Sequence, residues 1–268
     1  MLASKDLEAD HSLLLELGQE AGKIAMQWFG KEPEVWMKEG QSPVSEADFA
    51  VDRFLQEELL KARPDYGWLS EETDDNKERL TSRRVFVVDP IDGTRGFIKG
   101  EQQWCVSIAV VEAGRPLVGI LECPALQQTI TAAAGEGAWS NGKKLGVRKP
   151  ENERPLRATG PRSFLSQADT VLPRKVEKMR FVPSLAYRIA MIATGFADLS
   201  LARANAKDWD LAAADLIAHE SRACLTDMEG TMPIYNKPEV RHGALLACPV
   251  ADHKDMLDLA REAMNNAQ

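Results

Sequence analysis

The chain has 268 residues, enough to bury a sizeable core as one large α/β unit or as two smaller domains. Hydrophobic residues make up 44% and charged residues 28%, an ordinary soluble composition that excludes disorder and fibrous structure. With 33 basic against 41 acidic residues the formal charge is −8 and no long Lys/Arg run occurs, which disfavours a nucleic-acid polymer as partner but leaves room for a small anion held by local cations.

At the start of the chain Lys5, Asp6, Glu8 and Asp10 stand where a signal peptide would need a basic flank and an apolar block, and no segment is long and apolar enough to span a membrane. A cytoplasmic location is expected. Apolar positions three and four apart from Leu14 through Leu17, Ala21, Ile24 and Trp28 predict a first helix. A second is expected from about Ser45 into the sixties, burying Ala47, Val51, Phe54, Leu55 and Leu59, with Pro64 beyond its end. The period then changes: 84–88, 106–111 and 117–121 are β-branched and apolar, and read as neighbouring strands. Asn141-Gly142 supplies the positive-φ residues of a tight hairpin. The polar stretch Arg148 to Pro155 is the best boundary between an N-terminal α+β domain (1–150) and a C-terminal α/β domain (151–268), the latter with helices at 187–193 and 211–218. Strands followed by mixed helices and strands indicate a layered α/β or α+β architecture.

The informative hexapeptide is Asp89-Pro90-Ile91-Asp92-Gly93-Thr94, immediately after the apolar run 85–88. The strand delivers Asp89 to the edge of a sheet, Pro90 has no amide to continue the ladder, and Gly93 allows a turn whose amides can face an anion. Asp-Gly after a strand is also ordinary turn chemistry. Other acids carry similar double meanings. Glu71 and Glu72 open a charged run that reads as a solvated loop; Asp210 sits where a helix begins and suits its dipole; Ser45-x-x-Asp48 resembles a capping box. If Glu71, Asp89, Asp92 and Asp210 converge, two carboxylates about 4 Å apart repel by about 4 kcal/mol at an effective dielectric near 20, and the cluster needs cations. Oxygen-only donors favour a hard ion such as Mg²⁺.

Competing signatures fail. His11, His219, His242 and His253 show no metal-ligand spacing, and Cys105, Cys123, Cys224 and Cys248 form no C-x-x-C pair. Gly137 to Lys144 approaches a phosphate-binding loop, but Lys144 stands where Ser or Thr is required. There is no G-x-S-x-G elbow and no complete dinucleotide fingerprint.

In their order along nearly the whole chain, the Asp89–Thr94 signature, the upstream Glu71-Glu72 pair, Trp209-Asp210 and Gly243-Ala244-Leu245 resemble the inositol monophosphatase superfamily of Mg²⁺-dependent, Li⁺-sensitive phosphatases. The resemblance implies a layered αβαβα sandwich and two or three Mg²⁺ ions. It places Glu71, Asp89 and the Ile91 carbonyl around one ion and Asp89, Asp92 and Asp210 around a second. Thr94, oriented by Asp48, would position the attacking water beside Glu71, and Asp92 with the amides of Gly93 and Thr94 would meet the substrate. Asp92→Asn is expected to lose activity with folding intact.

Finer features, Leu69-Ser70-Glu71-Glu72, the Lys38 to Asp48 stretch and Phe97-Ile98-Lys99, are similar to the CysQ-type 3′(2′),5′-bisphosphate nucleotidases. Arg203, seven residues before Asp210, replaces a glutamate typical of inositol-specific members, so that with Arg188 and Lys207 it would suit a second phosphate. The Arg95-Gly96-Phe97 and Pro183-Ser184 segments depart from both subgroups. Inositol 1-phosphate, histidinol phosphate and sugar phosphates therefore stay open as substrates. A catalytically silent phosphate-binding regulator is the non-enzymatic alternative, and a homodimer is compatible with the reading.

Overall fold

The computed structural model describes residues 2–31, 34–37, 43–148, 154–171 and 175–265. In chain order the elements are α1 (Leu2–Met26), β1 (Val35–Met37), β2 (Pro43–Ser45), α2 (Glu46–Ala62), β3 (Gly67–Ser70), β4 (Arg84–Asp92) and α3 (Thr94–Ile98). There follow β5 (Cys105–Glu112), β6 (Arg115–Cys123), β7 (Gln128–Ala133), β8 (Gly137–Ser140), β9 (Lys143–Lys144), β10 (Leu156–Thr159) and α4 (Arg162–Val171). The chain continues with β11 (Val176–Lys178), α5 (Leu185–Ala193), β12 (Leu199–Ala202), α6 (Asp208–Glu220), β13 (Ala223–Asp227), β14 (Leu245–Pro249) and α7 (His253–Asn265).

Three buried apolar clusters stack these elements into five layers. One face of a seven-stranded sheet, ordered β3-β4-β5-β6-β7-β8-β9, packs on α1 and α2 through residues such as Leu14, Val51, Leu55, Phe86 and Ile108. Its other face meets α5 and α6, which in turn cover a five-stranded sheet ordered β11-β10-β12-β14-β13. The outer face of that second sheet lies under α4 and α7 through Phe164, Leu165, Leu246, Leu257 and Ala260. The result is the expected αβαβα sandwich. Each fully buried aliphatic or aromatic side chain in it contributes about 1.5–3 kcal/mol.

Local chemistry explains the boundaries. Ser45 caps α2, its amide and hydroxyl both donating to Asp48 Oδ2, at 2.8 and 2.6 Å. The helix ends at Ala62, two residues before Pro64. Of its predicted core face only Phe54 stays half-buried. The first helix begins twelve residues before the periodicity at Leu14, and it stops at Met26, before Trp28, whose indole instead donates to Glu46. Asn141 and Gly142 both take positive φ between β8 and β9, as do Ala113 and Gly114 between β5 and β6. All four cysteines are free, and Cys224 lies directly across from Cys248 in the second sheet. Residues 149–153 of the proposed boundary, and Lys38 and Ser42 of the similar stretch, lie outside the described residues.

One expectation needs correcting. The strand carrying the signature does not end at Val88; β4 runs on to Asp92. Asp89 pairs with Ser107 and Asp92 with Cys105, so Pro90 and Ile91 together face one partner residue in a bulge. Proline cannot donate to the ladder, but a bulge absorbs the missing bond without ending the strand. The bulge also changes the aim of the side chains that follow it. A second close fit lies behind the site, where β6 crosses α6: a Cβ on Gly119 would meet the backbone of Ala213 at 2.9 Å.

Candidate active site

Three acidic side chains from three different elements meet at one end of the large sheet. Glu71 follows β3, Asp89 lies on β4 and Asp210 is in the first turn of α6, and one carboxylate oxygen of each lies within 4.8 Å of the others. The parallel pairing of β3 with β4 sets this up, because Ser70 stands beside Val88 and the Glu71 amide donates to the Val88 carbonyl, 3.2 Å. The strand that presents Asp89 therefore also fixes Glu71.

Each buried acid spends part of its hydrogen-bonding capacity on local structure. Asp89 Oδ1 accepts from the Ile91 amide (3.0 Å), and Asp210 Oδ2 accepts from the Lys207 amide (2.6 Å). The second oxygen of each has no hydrogen-bond donor among the described residues. Asp48 both caps α2 through Oδ2 and offers Oδ1 to the Thr94 hydroxyl at 3.2 Å. That hydroxyl also lies 3.0 Å from the Ile91 carbonyl, and its single proton serves one acceptor at a time. Asp48 and Asp210 thus each serve a helix start, and Asp48 also meets Thr94 while Asp210 meets Glu71 and Asp89.

Asp92 is placed differently from its neighbours. Its Oδ2 accepts from the Ser184 hydroxyl and from the Ala186 amide (2.6 Å), and its Oδ1 from the Leu185 amide (3.2 Å). The carboxylate sits on the N-terminus of α5, where the orphan amides and the helix dipole favour negative charge. Gly93 makes that contact possible. It holds φ at +98°, and any Cβ there would approach the Ser184 amide nitrogen to 3.0 Å.

The electrostatics record the cost of gathering these charges. Burial, then the carboxylates of Glu71, Asp92 and Asp210, push Asp89 well above the usual carboxylate range. Burial and the Asp92 carboxylate do the same to Asp210, against the pull of the Lys207 amide. Burial raises Asp92 to about 6 despite the Ser184 hydroxyl and two helix amides, and raises Asp48 to about 6 despite its bonds to Ser45. An oxygen-only donor set that repels itself this strongly fits a hard divalent cation.

The profile of the inositol monophosphatase family matches residues 6–265. The chain belongs to that family. A 3′(2′),5′-bisphosphate nucleotidase CysQ from Haemophilus influenzae is 29% identical over 234 residues, covering 84% of this chain and 87% of the relative. A histidinol-phosphatase from Chlorobaculum parvum is 30% identical over 233 residues, covering 84% and 88%. The solved structure of a Thermotoga maritima IMPase superposes with a TM-score of 0.83 at 26% identity, over 97% of this chain and 99% of that one. As a member of this family of metal-dependent phosphatases, the chain is a phosphatase acting on a small phosphorylated compound.

Around the acidic cluster the surface divides in two. A cavity of about 420 Å³ holds Glu71, Asp89, Asp92, Gly93 and Thr94, with Arg95, Lys99 and Phe181 at its margin. A neighbouring cavity of about 490 Å³ is lined by Pro161, Arg162, Phe181, Arg188 and Arg203, three arginines and no acid. Phe181 borders both, with its ring more than half exposed. Arg188 is buried on α5 with its guanidinium carbon 5.6 Å from the Phe181 ring centre, and its Nε has no hydrogen-bond partner. Burial pulls its pKa down, while the Asp92 and Asp210 carboxylates oppose that pull. Arg203 is exposed and donates to the Ser163 hydroxyl, 3.2 Å.

Of the residues expected here from sequence, Asp48, Ile91 and Asp210 line neither cavity, and nor does Lys207. Its backbone amide caps Asp210, and its ammonium lies among Arg241, Glu239 and the acids of α6. Arg162 and Phe181 were not foreseen, and Ser184 was noted only within a segment that departs from both subgroups. Ser184 precedes an apolar helix and could have been read as its cap, which it is through the Tyr187 amide; the other two carry no local signal. A larger cavity of about 1130 Å³ lies away from this centre, beside the C-terminus of α6. Its charged lining is of mixed sign, and Glu220 there is occupied by the amides of Gly135 and Gly137.

Proposed function

We propose that the chain is a Mg²⁺-dependent phosphomonoesterase of the cytoplasm whose preferred substrate carries a second phosphate, a 3′(2′),5′-bisphosphate nucleotide such as 3′-phosphoadenosine 5′-phosphate. The observation that carries this reading is the three-arginine cavity next to the acidic one. The relatives differ in what they hydrolyse, so what they share concerns the transferred phosphoryl group alone, and the choice among substrates falls to the rim.

In this reading Glu71, Asp89, Asp92, Asp210 and the Ile91 carbonyl hold the cations. Bound Mg²⁺ supplies charge that polarises the phosphoryl oxygens, lowers the pKa of the attacking water and stabilises the leaving oxygen. The remaining work belongs to the protein. Asp48 orients the Thr94 hydroxyl, and Thr94 positions water in line with the scissile bond. The amides of Gly93 and Thr94 donate to phosphate oxygens at the start of α3. Arg188 and Arg203, joined by Arg162, neutralise the second phosphate, while Phe181 offers an aromatic face beside them. No helix among the described residues is long and apolar enough to cross a membrane, which fits a small soluble metabolite as substrate.

The first experiment is phosphate release from 3′-phosphoadenosine 5′-phosphate and from inositol 1-phosphate, side by side, with and without Mg²⁺. The nucleotide is expected to have the higher kcat/KM. Arg203→Glu should lower that value by about 10- to 100-fold, the worth of one or two charge-assisted hydrogen bonds, and change the inositol phosphate value by no more than about twofold. Equal loss on both substrates would remove the second-phosphate reading and leave the acidic centre standing.

A second expectation concerns pH. The cluster's carboxyl pKa values are raised in the folded state, so between about pH 4 and about pH 6 the cation-free folded chain holds more protons than the unfolded one. The cluster's contribution to stability therefore falls as pH rises through that window, and a cation restores it. The rise in Tm on adding Mg²⁺ should be larger at about pH 7.5 than at about pH 5. An increment independent of pH would show that the ion binds elsewhere.

A further inference from the structure

Glu71 lies on a segment that gives it little apolar support. From Glu71 to Asp75 the chain reads Glu-Glu-Thr-Asp-Asp and contains no regular structure; Glu71 and Glu72 repel the Asp89 carboxylate, and Asp75 at the far end is paired with the buried Arg79. Nearer Glu71 the segment is tied to α2.

Asp52 is buried one helical turn after Asp48, on the same face of α2. Its Oδ1 accepts from the Ser70 hydroxyl, which in turn accepts from the Glu72 amide at 3.4 Å. Its Oδ2 accepts from the Thr73 hydroxyl at 2.7 Å, which in turn accepts from the Trp68 indole at 3.2 Å. Both hydroxyls thus have a defined donor and a defined acceptor role, and one carboxylate grips the chain immediately before and two residues after Glu71. With the Glu71 amide tied to Val88, three anchors fix the direction in which Glu71 leaves the sheet.

We infer that Asp52 is a positioning residue for Glu71: by clamping Ser70 and Thr73 it holds the Glu71 carboxylate beside Asp89 and Asp210 and so sets the affinity of the centre for its cation. The inference rests on the reading of Glu71 as a cation ligand. One face of α2 then serves the centre twice, through Asp48 to Thr94 and through Asp52 to the Glu71 segment. Groups that orient a ligand from behind typically change metal affinity by about 10- to 100-fold when removed.

The test is Mn²⁺ binding to the full-length chain by isothermal titration calorimetry, together with the Mg²⁺ concentration giving half-maximal activity. Asp52→Asn keeps one acceptor oxygen, so it opens one side of the clamp and removes a charge; Ser70→Ala combined with Thr73→Val opens both sides and keeps the charge. Both are expected to weaken Mn²⁺ binding about tenfold and to raise the half-maximal Mg²⁺ concentration by a similar factor, with substrate KM at saturating Mg²⁺ unchanged. Thr73→Val alone, the mildest change in shape, should give a smaller shift in the same direction if the double variant does not fold. Wild-type Mn²⁺ affinity in clamp variants that merely melt earlier would reduce Asp52 to a structural tie, and an effect of Asp52→Asn absent from the serine and threonine variants would assign it to charge alone. Glu71→Gln separates the two ideas, because wild-type affinity there would overturn the ligand reading itself.

Discussion

Asp89→Asn should cut phosphate release by about 10³-fold or more, the equivalent of losing about 4 kcal/mol of transition-state stabilisation, while making the cation-free protein more stable. Asp89 is almost fully buried, and Glu71, Asp92 and Asp210 all act to raise its pKa. Asparagine is nearly the same shape, and its amide oxygen can keep the bond from the Ile91 amide, so little packing is lost. What disappears is one negative charge at the centre of the cluster. A cation held by the remaining acids is bound less tightly, and the repulsion that burdens the empty centre is relieved. The Tm of the metal-free variant should rise by about 2–4 °C for each kcal/mol relieved, and the increment on adding Mg²⁺ should shrink. Phosphate release and thermal melts with and without Mg²⁺ measure both halves. An active Asp89→Asn enzyme would dismiss this carboxylate as a cation ligand.

Asp92→Asn should be equally inactive but less stable, because this carboxylate accepts from one hydroxyl and two helix amides at the start of α5. An asparagine can place its oxygen toward only one side of that set. The other side then faces an amide nitrogen, and at least one buried donor goes unpaired at about 1–3 kcal/mol. Folding survives, as the sequence alone leads one to expect, but the Tm should drop by roughly 2–4 °C per kcal/mol lost. The two neighbouring substitutions therefore move stability in opposite directions while both abolish turnover. If Asp92→Asn melted no earlier than wild type, its role as the cap of α5 would have to be abandoned.

Much of this centre was legible before the fold was known, for reasons that can be named. Asp89, Asp92, Gly93 and Thr94 are consecutive, so a strand and a turn place them together with no tertiary information. Asp48, Glu71 and Asp210 each sit beside a local signal, a cap or the end of a strand. The bulge at Pro90 was not legible, since a missing amide ends one strand and merely kinks another, and the choice depends on β5 opposite. The start of α1 was missed because its first turns offer no clear apolar period. Arg162, Phe181 and Asp52 were out of reach for a different reason: each acquires its place only when elements far apart in sequence come together. Lys207 stands differently: its backbone amide donates to Asp210 Oδ2, and its ammonium feels Arg241 and Glu239 as well as Asp210 and Asp208.

The tight crossing of β6 and α6 ties the helix that carries Asp210 to a strand away from the acidic cluster. Gly119 has room for a hydrogen and nothing more, since a methyl group would press on the Ala213 backbone at 2.9 Å. Ala213 is three residues along α6 from Asp210, a rise of about 4.5 Å, and a helix transmits a shift over that distance as a stiff rod. The thickness of one missing side chain on the far strand is in this sense a spacer. It sets how closely α6, with Asp210 in its first turn, can lie against the large sheet.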